Sequence, residues 1–160
     1  HIASCNRSVK WPGTSFLTNF ASHVWGYDRD KEAVMHANTF YKNRFCNFTS
    51  ALSDLSNKKF NTIFSIETIE HMPLEEAKTF LNQCNDLLFD DGTLVITTPI
   101  VEKTNLDPIN EFHFFECSLD DFLNLLKEGG FEVVDKILKP TTFTDGETKD
   151  QGYFKCQKIQ

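Results

Sequence analysis

The sequence predicts an α/β domain built on a doubly wound, mostly parallel sheet. Apolar strand-like runs alternate with helical patterns through most of the chain, which is typical of parallel strands with helices on both faces. The last two apolar runs, residues 131–138 and 153–159, are joined by a Thr-, Asp- and Gly-rich loop and favour a C-terminal antiparallel hairpin. The 160 residues amount to about one domain, so we expect a single domain over residues 1–160. Because the chain begins at His1, we also expect that an N-terminal piece is missing.

Each remaining element has a local signal. Asp30 and Ser118 stand where side chains cap helices, Pro73 suits a first helical turn, and Pro99 should close a β-branched strand. Gly92, with Asp91 before it, should end the helix that Pro73 begins. The predicted strands cover residues 1–5, 23–28, 45–49, 60–66 and 93–98, and the predicted helices cover 14–21, 31–39, 73–88 and 118–128, with Pro12 and Gly13 in the first loop.

Charge and cysteine usage restrict the class of partner. A net charge of −7 repels phosphate backbones and disfavours a nucleic-acid substrate. The five cysteines lack C-x-x-C spacing, which disfavours a zinc ribbon or a disulfide framework and fits a reducing compartment. No apolar run is long enough to span a bilayer. We therefore expect a cytoplasmic protein without a nucleic-acid or membrane partner.

The stretch from Phe60 to Pro73 carries the most functional information. An apolar strand runs directly into Glu67-x-x-Glu70-His71. In an open α/β sheet the ligand crevice lies at the carboxyl ends of the strands. These side chains, together with His113 after the next strand, are therefore expected to converge at a pocket mouth.

This stretch resembles the fourth-strand signature F-D-x-I-x-S-x-E-x-x-E-H of class I S-adenosylmethionine (SAM)-dependent methyltransferases, which have a Rossmann-like fold. Asn61 departs from the pattern, since the family usually has Asp there. Residues 24–28, 88–94, 97–99 and 130–133 resemble further family elements in the right order, and the segment around His113 is similar to ubiquinone-biosynthesis-type and sugar O-methyltransferases. The matching signature positions are Phe60, Ile63, Ser65, Glu67, Glu70 and His71.

The resemblance implies a SAM site. Asp28 would hold the ribose diol, although a helix cap or a loop acid is the alternative. The family's glycine-rich first loop is degenerate here, because only Gly13 matches it between Ala3 and Thr14. Side chains at the other positions should restrict ligand approach, so SAM is bound in an altered way or weakly. The implied cofactor residues are Ser4, Gly13, Asp28, Ala51, Leu52, Ser65, Ile66 and Glu67.

The implied catalytic residues are Glu70, His71 and His113. His71 is a candidate general base for a substrate hydroxyl, and orientation of its own loop is the alternative. The motif also resembles the divalent-metal site of small-RNA 2'-O-methyltransferases, with Glu67 as the fourth ligand. We predict the metal-free arrangement and keep the divalent ion as the alternative.

The predicted function is methyl transfer from SAM to an oxygen, less readily a nitrogen, of a small molecule. The degenerate loop leaves open a catalytically silent binding or regulatory module. A nicotinamide-dependent oxidoreductase is a second alternative, because Asp28 would also suit that cofactor's ribose. It lacks support from the sequence, which contains no G-x-G-x-x-G.

Overall fold

A computed structural model describes residues 2–4, 12–142, 146 and 148–159. The strands within these residues are β1 Ile2–Ser4, β2 Val24–Tyr27, β3 Cys46–Thr49, β4 Phe60–Ile66, β5 Leu88–Val101, β6 Cys117–Ser118, β7 Phe131–Thr142 and β8 Thr148–Lys158. The helices are α1 Pro12–Phe16, α2 Lys31–Phe40, α3 Leu74–Leu87 and α4 Leu119–Glu128. None of these helices is both long and apolar enough to cross a membrane.

The strands form one sheet in the order β3-β2-β1-β4-β5-β8-β7, with β6 beside the end of β5. Strands β1 to β5 pair in parallel, whereas β8 is antiparallel to both β5 and β7. The predicted mostly parallel sheet with a C-terminal antiparallel hairpin is therefore confirmed. The strand order reverses between β1 and β4, which is where ligands bind in open α/β sheets.

Hydrophobic clusters cover both faces of the sheet. The larger cluster packs α3 and α4 against β4, β5 and β8, and the smaller packs α2 against β2 and β3. Val24 belongs to the smaller cluster, whereas its neighbour Trp25 packs against the larger one. This alternation follows because successive side chains of a strand point to opposite faces. The buried face of α3 consists of Ala77, Phe80, Leu81, Cys84 and Leu87, as its helical spacing predicts.

Both predicted helix caps are present. The Asp30 carboxylate accepts hydrogen bonds from the N–H groups of Glu32 and Ala33 at the start of α2. The Ser118 hydroxyl accepts one from the N–H of Asp121 at the start of α4. Side-chain caps of this kind satisfy backbone donors that a helix leaves unpaired in its first turn.

Several predicted boundaries are wrong. α1 begins at Pro12, so Pro12 and Gly13 open a helix rather than lie in a loop, as suits the missing N–H of proline. α3 ends at Leu87 and β5 begins at Leu88, so Asp91 and Gly92 lie within a strand.

The later strands are also longer than predicted. β5 continues through Pro99 to Val101, because β4 ends at Ile66 and presents no strand partner to the proline nitrogen. β7 continues to Thr142, and β8 begins at Thr148. β7 tolerates its proline because, among the described strands, it lies at the edge of the sheet and pairs with β8 alone.

Candidate active site

A cavity of about 400 Å³ lies at the carboxyl ends of β2 and β4, beside α3. Its wall includes Asp28 after β2, Leu52 after β3, and Thr68 and His71 after β4. The fold therefore brings three of the predicted site residues, Asp28, Leu52 and His71, to one cavity. α3 supplies much of the remaining wall, including Glu75 and Phe80.

Asp28 is a buried carboxylate with one oxygen engaged by the protein. Its side chain is 7% exposed, and Oδ1 accepts a hydrogen bond of 2.9 Å from the N–H of Asp30. Burial raises the pKa of Asp28, and the bond from Asp30 lowers it in part. Oδ2 accepts no hydrogen bond from any described residue, so it remains available to a ligand in the cavity.

The segment after β3 is a compact turn. The Ala51 N–H donates to the Thr49 hydroxyl at 3.1 Å, and that hydroxyl donates to the Asp54 carboxylate at 2.6 Å. Leu52 begins a short 3-10 turn and reaches the cavity wall, whereas Ala51 does not line it.

The other predicted cofactor residues whose side chains are described do not line this cavity. Ser4 ends β1 and pairs with Tyr27 on one side and Ser65 on the other, but its side chain and residues 5–11 of the degenerate loop lie outside the described residues. Gly13 is exposed, and beyond its own helix no atom of a described residue lies within 4 Å of the position that a Cβ would take. Ser65 is fully buried, and its Oγ has no hydrogen-bond partner among the described residues. Ile66 is 39% exposed.

Glu67 follows β4 with an unusual backbone conformation. Its φ of 48° is the one positive value at a non-glycine residue in the described part of the chain. Its Oε1 accepts hydrogen bonds from the Thr97 hydroxyl at 2.8 Å and from Gln151 Nε2 at 2.6 Å.

Glu70, His71 and His113 form a cluster next to the cavity. One ligand-type atom of each lies within 4.8 Å of the others, and the two imidazole rings meet edge to face with their centroids 4.9 Å apart. Glu70 is 1% exposed, and its Oε2 accepts from the Thr98 hydroxyl at 3.2 Å. Its Oε1 has no hydrogen-bond partner among the described residues. Glu67 is not part of this group.

Each imidazole is oriented through its Nδ1. His71 Nδ1 lies 2.8 Å from the carbonyl oxygen of Phe112, which only an N–H can bond. His113 Nδ1 lies 2.7 Å from the Glu116 carboxylate, and Asn110 Nδ2 lies 3.2 Å from His113 Nε2. These partners place the proton on Nδ1 of both rings and leave the Nε2 lone pairs as acceptors.

The electrostatics of the cluster favour neutral groups. Burial, followed by the charge of Glu67, raises the pKa of Glu70 well above its usual range. Burial lowers the pKa of His71, although the bond to Phe112 opposes the change. His71 Nε2 and Glu70 Oε1 are 3.9 Å apart, and these shifts mean that the contact is not an ion pair at neutral pH. The lowered pKa favours an uncharged His71 imidazole, and its Nε2 accepts no hydrogen bond from a described residue.

Consecutive threonines of β5 separate the two glutamates of the motif. Thr97 bonds Glu67, and Thr98 bonds Glu70. Because neighbouring residues of a strand face opposite sides of the sheet, the two carboxylates are held on opposite sides of β5. In the sequence, Thr97 and Thr98 stand out only as part of a family element, and their hydrogen bonds cannot be predicted without the register of the strands.

An ion-pair network behind His113 is also not predicted by the sequence. Glu116 is 3% exposed, and both of its carboxylate oxygens lie 2.9 Å from Lys149 Nζ at the start of β8. Lys149 lies in a segment predicted as a loop, where nothing in the sequence pattern connects it to Glu116.

A family model described as a methyltransferase domain matches residues 12–96, which is more than half of the chain. The chain belongs to this methyltransferase family. The resemblance to class I SAM-dependent methyltransferases is thus confirmed, and the chain is an enzyme whose general reaction is methyl transfer. No curated protein matches the sequence significantly.

Solved methyltransferases share the fold at low sequence identity. The 1,6-didemethyltoxoflavin-N1-methyltransferase of Burkholderia thailandensis, with bound 1,6-didemethyltoxoflavin and S-adenosylhomocysteine, is 15% identical with a TM-score of 0.76, over 99% of this chain and 71% of that one. A putative methyltransferase of Bacillus halodurans is 13% identical with a TM-score of 0.75, over 99% of this chain and 92% of that one. Magnesium protoporphyrin IX methyltransferase of Synechocystis, with bound SAM, is 16% identical with a TM-score of 0.65, over 98% of this chain and 69% of that one.

Proposed function

We propose that this methyltransferase transfers a methyl group from SAM to an oxygen, less readily a nitrogen, of a small molecule. The observation that carries the proposal is the cavity that Asp28 and Leu52 share with His71. It supplies a carboxylate suited to a ribose diol and a neutral imidazole suited to a hydroxyl proton at the same crevice.

The residues present fit the cofactor at its ribose. Asp28 is buried in the cavity wall and keeps Oδ2 available, and a carboxylate oxygen can accept hydrogen bonds from a diol. The bound SAM and S-adenosylhomocysteine in two proteins of the same fold support this choice. SAM supplies an electrophilic methyl group on its sulfonium.

The enzyme's own task is to align the acceptor and remove its proton. In-line displacement gains most from holding the reacting groups in position. His71 Nε2 has the free lone pair of a general base, because Nδ1 is protonated and bonded to Phe112. That bond also fixes the segment that bears Phe112, so His71 both accepts the proton and orders its loop.

Calorimetry tests the proposal directly. SAM and S-adenosylhomocysteine should each bind with one-to-one stoichiometry, and NAD should give no heat of binding. Binding of NAD in preference to SAM would contradict the proposal and favour the oxidoreductase alternative. Absence of binding by all three would favour a catalytically silent module.

A divalent ion at Glu70, His71 and His113 is the second candidate, and two observations favour it. The buried Glu70 Oε1 lacks a described partner, and carboxylate–histidine contacts such as Glu116 to His113 often stand behind metal ligands. An ion there would lower the pKa of an acceptor hydroxyl.

The metal-free arrangement fits the contacts better. Asn110 already occupies His113 Nε2, and Thr97 and Gln151 hold Glu67, the fourth expected ligand, outside the cluster. Titration of chelator-treated protein with Zn²⁺ and Mn²⁺ should therefore show no saturable site. A site that His113→Ala abolishes would support the metal-dependent version.

The proposal keeps a small-molecule acceptor and a cytoplasmic location. The net charge of −7 is unsuited to a nucleic-acid acceptor. Free thiols at all four described cysteines support a reducing compartment, and these residues are Cys46, Cys84, Cys117 and Cys156.

A further inference from the structure

A second cavity, of about 630 Å³, lies at the opposite edge of the sheet from the candidate active site. Its wall includes His23, Asn47 and Lys59, which stand where β2, β3 and β4 begin. The cavity that contains Asp28 lies where β2 and β4 end, and the two cavities share no lining residue. A volume in this range is typical of sites for small molecules.

The wall of this second cavity carries cationic side chains and no carboxylate of a described residue. Lys58, Lys59 and His23 line it, although the chain has 23 acidic and 16 basic residues. Lys59 Nζ donates to the carbonyl oxygens of Asp86 at 2.5 Å and Leu88 at 3.5 Å. These neutral partners orient the ammonium without cancelling its charge. The described ion pairs of lysine include neither Lys58 nor Lys59.

Aromatic rings stand next to these charges. Lys58 Nζ lies 4.8 Å from the centroid of the Trp25 ring, which is a cation–π distance. Both side chains are half-buried and line the cavity. Phe20 lines it as well and is 74% exposed. A ligand with a ring of its own would remove part of this apolar surface from water.

Asn61 connects the cavity to the sequence. It is the position at which the chain departs from the fourth-strand signature, where the family usually has Asp, and its side chain lines the cavity together with Lys59. An aspartate here would offset one of the two lysine charges. Asparagine leaves both charges in place and adds an N–H donor. The departure therefore makes the wall more favourable to an anion.

We propose that this cavity is a second ligand site, which binds a small molecule with an aromatic ring and an attached anionic group. Lys58 and Lys59 bind the anion through charge-assisted hydrogen bonds, and Phe20 and Trp25 contact the ring. The site is separate from the methyl-transfer crevice and does not depend on the identity of the methyl acceptor.

Three probes test the need for both parts of the ligand. 2-Naphthoate, 2-naphthamide and acetate are titrated into the protein by ligand-observed NMR. 2-Naphthoate should bind saturably. The amide, which lacks the charge, and acetate, which lacks the ring, should each bind at least about tenfold more weakly. Absence of saturable naphthoate binding, or equal binding of either of the other probes, would overturn the proposal.

The position of the bound probe is tested on the same protein. The indole N–H signal of Trp25, identified by its loss in Trp25→Phe, should shift as 2-naphthoate is added to ¹⁵N-labelled protein. Saturating S-adenosylhomocysteine should leave the naphthoate affinity unchanged, because the two cavities share no residue. An indole signal that stays in place at saturation, or displacement of naphthoate by S-adenosylhomocysteine, would contradict the assignment.

The variant Asn61→Asp tests the charge of the wall without removing a contact. It introduces the residue that the family usually has, so the melting temperature should be unchanged while naphthoate binds at least about fivefold more weakly. Asn124→Asp, at an exposed position on α4, adds the same charge and should keep the wild-type affinity. Equal weakening in both variants would show a general effect of net charge and overturn the proposal.

Lys58→Met removes a cation and keeps an unbranched side chain of similar length against Trp25. Naphthoate should bind at least about tenfold more weakly to it, whereas Lys136→Met, at an exposed position on β7, should bind it as the wild type does. Wild-type affinity in folded Lys58→Met would overturn the assignment of the anion to this lysine. If Lys58→Met does not fold, Asn61→Asp and its control decide the question.

Discussion

At the scale of single residues, the site depends on carboxyl groups in different surroundings. Asp28 keeps one oxygen for a ligand, Glu67 has one oxygen bound by Gln151, and the buried Glu70 has one oxygen without a described hydrogen-bond partner. Environment rather than residue type therefore assigns the role of each acid.

Asp28→Ala should weaken binding of S-adenosylhomocysteine. The expected loss is about 1.5–3 kcal/mol, the range for hydrogen bonds to a charged group. Calorimetry measures the loss, and Asp91→Ala, at an exposed position on β5, is the matched control. Equal affinity of Asp28→Ala and wild type would remove Asp28 from the cofactor site.

Glu70→Gln should stabilise the protein at high pH. The folded-state pKa of Glu70 is raised above its unfolded value, so ionisation costs stability progressively as pH rises from the unfolded pKa through the folded one. Glutamine keeps an acceptor for Thr98 and cannot ionise.

The gain in unfolding free energy of Glu70→Gln over the wild type should be on the order of 2 kcal/mol at pH 9 and should vanish near pH 4. Urea denaturation at both pH values measures it. If the wild type is more stable than Glu70→Gln at pH 9, ionised Glu70 has a compensating partner, such as a bound ion.

The pKa of His71 should lie below the ordinary value for an imidazole. Burial lowers its pKa from 6.5, so the neutral, basic form persists to lower pH than it would in an exposed histidine. NMR of the ring protons measures this pKa in chelator-treated protein. With a turnover assay, activity should survive chelation and decline only as pH falls through the lowered pKa. A pKa above 6.5 would contradict the assigned environment.

At the scale of elements, caps and apolar faces could be predicted from the sequence, but strand lengths could not. Asp30, Ser118 and the buried face of α3 depend on local spacing. The extensions of β5 and β7 through Pro99 and Pro140 depend on which neighbour is missing from the sheet, and that is a non-local property.

The same distinction holds for the candidate site. The motif of Glu67, Glu70 and His71 predicts that polar groups collect after β4. Their separation follows from the positive φ of Glu67 and from the register that puts Thr97 and Thr98 opposite them. Neither feature has a local sequence signal.

The contribution of the α4 cap to the unfolding free energy should be measurable by itself. Ser118→Ala removes the hydroxyl that accepts from the Asp121 N–H and should cost about 1 kcal/mol of unfolding free energy. Ser118→Thr retains a hydroxyl that can accept from the Asp121 N–H and donate to the Asp121 carboxylate, and it should keep most of the stability. Denaturation by urea compares the two variants, and an equal loss in both would assign the effect to something other than the cap.

At the scale of the whole molecule, the doubly wound order gathers residues from β2, β4 and β5 at one edge of the sheet. That arrangement is insensitive to the details of the first loop. Affinity for the cofactor, however, depends on that loop. The glycines that would allow close approach of the backbone to a ligand are absent between Ala3 and Pro12.

SAM should therefore bind weakly. We expect a dissociation constant of tens of micromolar or higher, equivalent to no more than about 6–7 kcal/mol of binding free energy. Calorimetry supplies the value. A sub-micromolar constant would show that the degenerate loop is a fully working variant.

The two outer strands of the sheet also affect how the protein behaves at high concentration. β3 is only four residues long, whereas β7 has 12 residues and a free edge. β7 carries a bulge between Val133 and Asp135, the charged side chains of Lys136 and Lys139, and Pro140. Bulges, lysines and prolines hinder one edge strand from pairing with another. Copies of this chain are thereby protected against edge-to-edge aggregation, although β7 is long enough to support it.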